Sequence, residues 1–176
     1  DYATALEHAQ QVLSAYPENE GALFLAGMAY ARLERFPEAV ESLEKFVSLR
    51  RDPENPQMDK VLEAGLYFLG QNYLALQDTA AAIQSLNEAI GIDPTDADAR
   101  YLLGQAYASA GQHELALEHY EEAVRFVPSF PEAYHGMVES YTALAQPAYV
   151  AYAQGMEAYS NQEYVLARQY LLQALD

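Results

Sequence analysis

The sequence contains no cysteine, which excludes disulfide bonds and thiolate chemistry in all of its 176 residues. It is also poor in basic residues, because nine Lys and Arg stand against 26 Asp and Glu for a formal charge of −17. An acidic surface repels nucleic acid backbones and anionic lipids, so neither is an expected partner. No apolar run reaches the about 18 residues of a transmembrane helix, and no basic-then-apolar signal segment opens the sequence.

Hydrophobic residues make up 51% of the chain, which is enough to bury a sizeable core. The length fits one globular domain or one short repeat array. A chain without thiols is compatible with any redox compartment. The compartment therefore stays open among cytoplasm, periplasm and secretion, with the cytoplasm favoured.

Residues recur along the sequence with a period of 34. Gly70 and Gly104 are one period apart, and each has a leucine directly before it and a tyrosine three residues after it. Such a period is typical of helical repeat arrays. Other residue pairs follow the two glycines at fixed distances: Ala82 and Ala116, Ala89 and Ala123, and Pro94 and Pro128. Partial copies of the pattern occur towards both ends of the chain: Gly27, Tyr30 and Ala39; Gly155, Ala167 and Ala174; and Ala5 and Pro17.

This pattern resembles the tetratricopeptide repeat (TPR), in which Leu-Gly, Tyr, Ala and Pro recur over 34 residues. The resemblance covers nearly the whole chain and implies an all-α fold of antiparallel helix pairs stacked into a right-handed superhelix. The sequence departs from the pattern where the family often has tryptophan and at one expected glycine: Leu23, Leu66, Arg100, Tyr134 and Val138.

Apolar and small residues at i, i+3, i+4 and i+7 define one face of each helix. The spacing predicts helices at about 2–16, 20–33, 37–51, 58–76, 79–92, 96–110, 113–126, 131–145, 148–160 and 163–175. We expect a single array of six units: 1–17 as a second helix only, 20–53, 58–94 with a preceding insertion and an extended first helix, 97–128, 131–145 as one helix, and 148–176 as a C-terminal pair.

Two irregularities interrupt the period. Gly27 and Gly70 are 43 residues apart, and the extra residues predict a longer helix with Asn55 as cap and Pro56 as its first residue. Gly155 follows the expected repeat position 138 by only 17 residues. That distance is one helix, so either the helix at 148–160 takes the place of a second helix or residues are missing before Gly155.

Three aspartates, Asp93, Asp96 and Asp98, stand within six residues at 93–98. The glycine and the terminal glutamate of a calcium-binding EF-hand loop are missing from this stretch. Pro94 instead indicates a helix end, and Thr95 or Asp96 can cap the next helix. We therefore interpret the cluster as a joint between repeats.

The sequence also lacks the residue spacing of a zinc site and the motifs of common catalytic sites. His113 and His119 are six residues apart, which points them to different sides of a helix rather than to one zinc ion. The sequence has no glycine-rich phosphate loop and no nucleophile elbow. We expect no catalytic residue, no cofactor, no metal site and no enzyme activity.

A second stripe runs beside the core stripe of each first helix, at i, i+4 and i+7. The family resemblance implies that these positions line a concave groove that receives a peptide or a helix. The alternative is that the rings pack between neighbouring helices. The predicted groove residues are Phe24, Met28, Tyr67, Gln71, Leu74, Tyr101, Gln105, His135, Glu139, Tyr152, Met156 and Tyr159, with Ala31, Ala108 and Thr142 completing the stripe.

The stripe contains no basic residue, whereas family members that bind the carboxylate end of chaperones present Lys and Asn there. We therefore expect a protein or peptide partner with apolar or aromatic anchors that is neutral or basic. The predicted function is a non-catalytic interaction scaffold. Two alternatives stay open: a regulatory or substrate-docking segment of a larger enzyme, and self-association through the terminal helices.

The basic residues are concentrated in residues 1–60, which hold six of the nine. A solvated surface explains this distribution most simply. The functional alternative is an anion-tolerant region near Arg32, Arg50 and Arg51.

Overall fold

The computed structural model describes residues 1–51 and 59–175, and within them ten α-helices form and no strand does. The predicted all-α fold is confirmed, and most predicted helix bounds agree with the structure to within two residues. The helices are α1 (Tyr2–Ala15), α2 (Glu20–Arg32), α3 (Phe36–Arg50), α4 (Lys60–Ala75), α5 (Thr79–Ile92), α6 (Ala97–Ser109), α7 (His113–Phe126), α8 (Pro131–Ala143), α9 (Pro147–Ser160) and α10 (Tyr164–Gln173).

The chain divides into two compact units. The N-terminal unit, Asp1–Pro94, contains α1 to α5, and the C-terminal unit, Thr95–Asp176, contains α6 to α10. In each unit, helices that follow one another in sequence pack against each other, and the first helices of adjacent pairs also touch, α2 against α4 and α6 against α8. The division of these helices into repeat units stays a prediction.

Side-chain caps decide where several helices begin. Asp96 accepts hydrogen bonds from the backbone N–H groups of Asp98 and Ala99, so of the two candidates Thr95 and Asp96 it is Asp96 that caps α6. Asp98 lies in the first turn, where the helix dipole favours a negative charge. Its pKa is nevertheless raised, because partial desolvation and then the carboxylates of Asp96 and Glu132 disfavour the charged form.

The long spacing before Gly70 precedes α4, which at 16 residues is longer than α2 and α6, of 13 residues each. Helix α4 begins at Lys60 rather than near residue 58, because the Asp59 side chain caps the N–H groups of Val61 and Leu62. The predicted cap Asn55 and first helical residue Pro56 lie outside the described residues.

Glycines mark where the two helices of a pair cross most closely. A Cβ on Gly70 would lie 2.5 Å from the side chain of Leu86, and a Cβ on Gly104 would lie 2.6 Å from the ring of Tyr120. The same ring also approaches Gly136 of the next helix, where a Cβ would meet it at 2.5 Å. These glycines are therefore required by packing rather than by backbone conformation.

One type of turn joins the helices of each pair, with a single residue at positive φ followed by a backbone N–H that bonds back to the carbonyl five positions before it. Glu34, Gln77 and Gly111 hold this place between α2 and α3, α4 and α5, and α6 and α7. Ala145 and Gln162 hold it on both sides of α9. Because both its connections are of the within-pair type, the turns predict that α9 is the second helix of a pair with α8 and also the first helix of a pair with α10.

Candidate functional site

In the N-terminal unit, part of the predicted stripe forms an aromatic row across α2 and α4. The ring of Phe24 lies 5.9 Å from the ring of Phe68, and Phe68 lies 5.2 Å from Tyr67, both edge to face. All three rings are half-buried. Phe24 also packs on the buried Phe46 at 5.1 Å, so this stripe residue belongs partly to the core.

The other stripe residues of the N-terminal unit differ in exposure. Met28 and Leu74 are half-buried, and Gln71 is exposed. They lie one and two turns from Phe24 or Tyr67 on the same helix faces. The row therefore presents mixed apolar and amide groups to solvent.

In the C-terminal unit, Tyr101 is mainly a packing residue. Its ring lies 5.1 Å from Phe130 and 5.9 Å from the buried Tyr120, and its hydroxyl accepts a hydrogen bond of 2.7 Å from Gln105. Burial, followed by the charges of Glu132 and Glu139, raises the pKa of Tyr101. The packing alternative considered for these rings thus applies at this position.

His135 and Glu139, the stripe residues of α8, are exposed and polar rather than apolar. Nδ1 of His135 lies 3.1 Å from Oε1 of Glu157 on α9, and its Nε2 lies 3.7 Å from Glu139. This part of the stripe is a small polar cluster.

The three stripe residues of α9 have separate surroundings. Met156 packs against the core of the C-terminal unit, and the ring of Tyr159 lies edge to face with Tyr164 at 5.6 Å. Tyr152 lines a groove on the second-helix side together with Tyr134 and Tyr141. Tyr152 lies there because α9 packs against α8 in the way that second helices pack against first helices.

Among the described residues, grooves of the same construction lie between α1 and α3, between α3 and α5, and between α7 and α9, each with a first helix as its floor. In each, a floor tyrosine is hydrogen-bonded to the preceding second helix: Tyr30 accepts from Gln10 at 2.9 Å, Tyr73 donates to Glu44, and Tyr141 donates to Glu121 at 3.0 Å. The first two grooves, between α1 and α3 and between α3 and α5, have volumes of about 320 and 280 Å³.

The third groove, which we call the tyrosine groove, measures about 910 Å³ and lies in the C-terminal unit. Its floor is Tyr134, Met137 and Tyr141 of α8, and the ring of Tyr149 stacks on Tyr141 at 5.1 Å. Tyr149 and Tyr152 are 57% and 43% exposed, so large apolar surfaces line an open cleft. The remaining lining residues come from α7, α9, α10 and the turn after α10: Glu121, Val124, Arg125, Ala148, Leu171, Ala174 and Leu175.

Sequence reasoning included Tyr152 but missed Tyr149 and the floor residues as parts of one site. The available signal was the 34-residue period itself. Tyr149 and Tyr152 lie two periods after Ala81 and Gln84. Tyrosines therefore stand where the earlier repeat has a small residue and a polar residue. Finding them required knowing that α9 is a second helix, which the shifted glycine at position 155 concealed.

The three arginines of the alternative anion-tolerant region are engaged by acidic or aromatic partners. Arg50 bonds Asp59 at 2.7 Å and Glu20 at 2.8 Å, and these hydrogen bonds raise its pKa. Arg51 pairs with Glu88, and Arg32 lies over the ring of Tyr2. These contacts do not favour the alternative of an anion-binding region there.

The two histidines of α7 have different surroundings. His113 is the first residue of the helix, and His119 stacks on Tyr107 with ring centroids 5.3 Å apart. Burial, and then Arg100, lowers the pKa of His119. Among the residues that the structure describes, no three His, Asp or Glu side chains come together as metal ligands would.

No helix within residues 1–51 and 59–175 combines the length and the apolar composition that crossing a bilayer requires. The comparisons with known proteins agree on the fold. The chain is 28% identical to MamA, whose crystal structure it matches with a TM-score of 0.82 over 94% of this chain and 91% of that one.

Two further structures support the same fold alone. YrrB, a TPR protein described as having an unusual peptide-binding site, is 19% identical with a TM-score of 0.78 over 96% of this chain and 82% of that one. MamA from Desulfovibrio magneticus RS-1 is 20% identical with a TM-score of 0.68 over 99% and 84% of the two chains. A search of curated proteins finds no match.

A sequence model of the tetratricopeptide repeat matches residues 1–56 and 67–131, which is more than half of the chain. Together with the helix pairs and the 34-residue period, this match confirms the predicted resemblance and the TPR fold. The chain belongs to the tetratricopeptide repeat family, whose members serve as protein-interaction scaffolds.

Proposed function

We propose that this TPR protein is a non-catalytic scaffold that binds a peptide or a helical segment of another protein on the stripe of its first helices. The bound segment carries apolar or aromatic anchors and is neutral or basic. The observation that carries the proposal is the aromatic row of Phe24, Phe68 and Tyr67, in which each ring is half-buried and so keeps a face for a ligand.

Physical chemistry supports this class of ligand. Aromatic side chains contribute large contact areas at low conformational cost and are enriched in protein interfaces. The stripe has no basic residue, and the chain carries a formal charge of −17, so an acidic ligand would be repelled. TPR proteins are typically scaffolds without catalytic activity, which supports the same conclusion.

The test uses a displayed peptide library selected on the wild-type chain and on a Tyr67→Ala/Gln71→Ala variant. We expect the wild type to enrich peptides with apolar residues at helical spacing and few acids. The double variant should lose most of this enrichment, because truncating an anchor costs on the order of 2 kcal/mol, or roughly thirtyfold in affinity.

The matched control is Gln84→Ala/Asn87→Ala, two exposed residues of α5. It should enrich the same peptides as the wild type, and all three chains should melt at similar temperatures. Equal enrichment by the stripe variant, with its fold intact, would show that the first-helix stripe is not the binding surface.

Self-association is a second candidate function because α10 exposes apolar residues. Val165 and Leu172 are 88% and 54% exposed. Light scattering over a concentration series tests this candidate. A molar mass that stays at that of one chain would remove it.

A further inference from the structure

The three grooves between second helices have the same frame but different walls. At the two equivalent wall positions, the groove between α3 and α5 has Ala81 and Gln84, whereas the tyrosine groove has Tyr149 and Tyr152. Its floor also changes, from leucines to Tyr134 and Met137. The repeat fold requires none of these replacements, since the other grooves form without them.

The tyrosine groove is also larger by about 630 Å³ than the groove between α3 and α5, from volumes of about 910 and 280 Å³. Two leucines contribute to its wall: Leu171 of α10, which lies over Gly155, and Leu175 in the turn after α10, which is 83% exposed. An open, aromatic cleft of this size is unusual on a monomer surface and indicates a binding site.

The lining restricts the conformation of the occupant. Its polar groups are few: the tyrosine hydroxyls and the side chains of Glu121 and Arg125. These groups cannot satisfy a row of backbone N–H and C=O groups, and no strand edge is offered among the described residues. A segment bound here must satisfy its own backbone, as an α-helix does.

Charge restricts its composition. None of the lining residues from α8, α9 and α10 is charged. Helix α7, by contrast, places exposed glutamates at i, i+4 and i+7 along one side, namely Glu114, Glu118 and Glu121, and the last of these lines the groove. The one basic lining residue, Arg125, lies 3.5 Å from Glu122. The groove thus has one acidic rim and one apolar rim.

We propose that the tyrosine groove is a second binding site, which takes an amphipathic helix of a partner protein. The helix lays aliphatic or aromatic residues against Tyr149, Tyr152 and Leu175 and turns lysine or arginine side chains towards the glutamates of α7. This site is separate from the first-helix stripe of the proposed function, and either can fail without the other.

The experiment uses three labelled synthetic helices of about 14 residues, or four turns, and fluorescence anisotropy. The first probe has a leucine face and a lysine face. The second replaces every lysine with glutamate, and the third replaces every leucine with glutamine. We expect the first probe to bind and the other two to bind at least about tenfold more weakly, a difference of about 1.4 kcal/mol.

Protein variants separate groove binding from general attraction to an acidic surface. Tyr149→Ala/Tyr152→Ala leaves the net charge unchanged and should weaken binding of the first probe at least about thirtyfold. Gln84→Ala, the matched change at the position equivalent to Tyr152, should have no effect. Leu175→Ser, at a residue that is 83% exposed, gives a second groove variant that does not disturb the core.

Glu118→Lys tests the charge rule, because it should weaken the lysine probe and strengthen the glutamate probe. The proposal is overturned if the lysine probe binds the tyrosine variant as tightly as the wild type, if the glutamine-faced probe binds equally well, or if no probe binds. Tyr67→Ala should leave the lysine probe unaffected, so this result does not depend on the first-helix stripe.

Discussion

The groove between α3 and α5 and the tyrosine groove show how one repeat frame produces two different surfaces. Both have a floor tyrosine that donates to a glutamate, Tyr73 to Glu44 and Tyr141 to Glu121. Their walls differ in that small and polar side chains line one, whereas exposed tyrosines line the other. The comparison teaches that the repeat positions fix the backbone, while the positions that the repeat leaves free set the chemistry of each groove.

The largest expected effect concerns the helix crossings beneath these grooves. Tyr120 is 1% exposed and contacts the glycine faces of α6 and α8, whereas Leu86 meets the glycine of α4. We expect Tyr120→Ala to lower the free energy of unfolding by about 3–5 kcal/mol, and by more than Leu86→Ala, because a larger cavity opens. Urea unfolding followed by circular dichroism measures both.

Tyr120→Leu sharpens this comparison, since it places the side chain of Leu86 at the equivalent crossing. It should recover part of the stability that Tyr120→Ala loses. An equal loss for Tyr120→Ala and Leu86→Ala would mean that the two crossings are energetically alike.

The next prediction concerns alkaline pH. Burial raises the pKa of Tyr101, Tyr120, Tyr134 and Tyr141 in the C-terminal unit, and among the described residues of the N-terminal unit it does so for Tyr73. A folded pKa above the unfolded value of about 10 means that the unfolded chain loses protons first. The contribution of these tyrosines to the free energy of unfolding is therefore fully present below about pH 10 and decreases above it. The decrease should be larger in the C-terminal unit, which has four such tyrosines.

Brief subtilisin digestion at about pH 8 and about pH 11, on either side of the unfolded tyrosine pKa, with mass spectrometry of the cuts, locates the loss. New cuts should appear first within residues 95–175. Cuts that appear first in the N-terminal unit would contradict the prediction.

A smaller effect is expected from the floor hydroxyls. Tyr73→Phe and Tyr141→Phe each remove one hydrogen bond to an exposed glutamate. We expect each to lower the free energy of unfolding by about 1 kcal/mol, at the low end for a bond to a charged group because solvent screens both acceptors. Thermal unfolding measures both variants. Equal losses of stability would confirm that the two floor hydroxyls are equivalent, and a loss in one variant alone would show that they are not.

The smallest effect concerns helix caps, which differ between the units. Side chains cap α1, α2, α4 and α5 in the N-terminal unit, whereas in the described C-terminal unit only α6 has such a cap. Asp78 and Gln112 precede α5 and α7 at equivalent repeat positions, and only Asp78 bonds a helical N–H.

Exchanging these residues should therefore move stability in opposite directions. Gln112→Asp should raise the melting temperature and Asp78→Gln should lower it, each corresponding to about 0.5–1 kcal/mol. Calorimetry measures both shifts. A Gln112→Asp chain that melts no higher would show that another contact already satisfies the start of α7.

The candidate sites were only partly predictable from sequence. The stripe spacing identified Phe24 and Tyr67 as neighbours on adjacent first helices, and their shared contact with Phe68 agrees with that placement. It did not reveal that Tyr101 would be half-buried against Phe130, because the partner of a ring depends on the helix that packs over it. The stripe as a binding surface stays a prediction.

The sequence by itself determined the helices and the crossings at two glycines, because these depend on local spacing: the 34-residue period, a cap at Thr95 or Asp96 and the small residues at Gly70 and Gly104. The tertiary structure alone decided that the same type of turn lies on both sides of α9 and that Tyr149 and Tyr152 line one cleft with Tyr134 and Tyr141. Periodicity fixes which residues share a helix face. Which neighbour that face meets is settled by packing between helices that are distant in sequence.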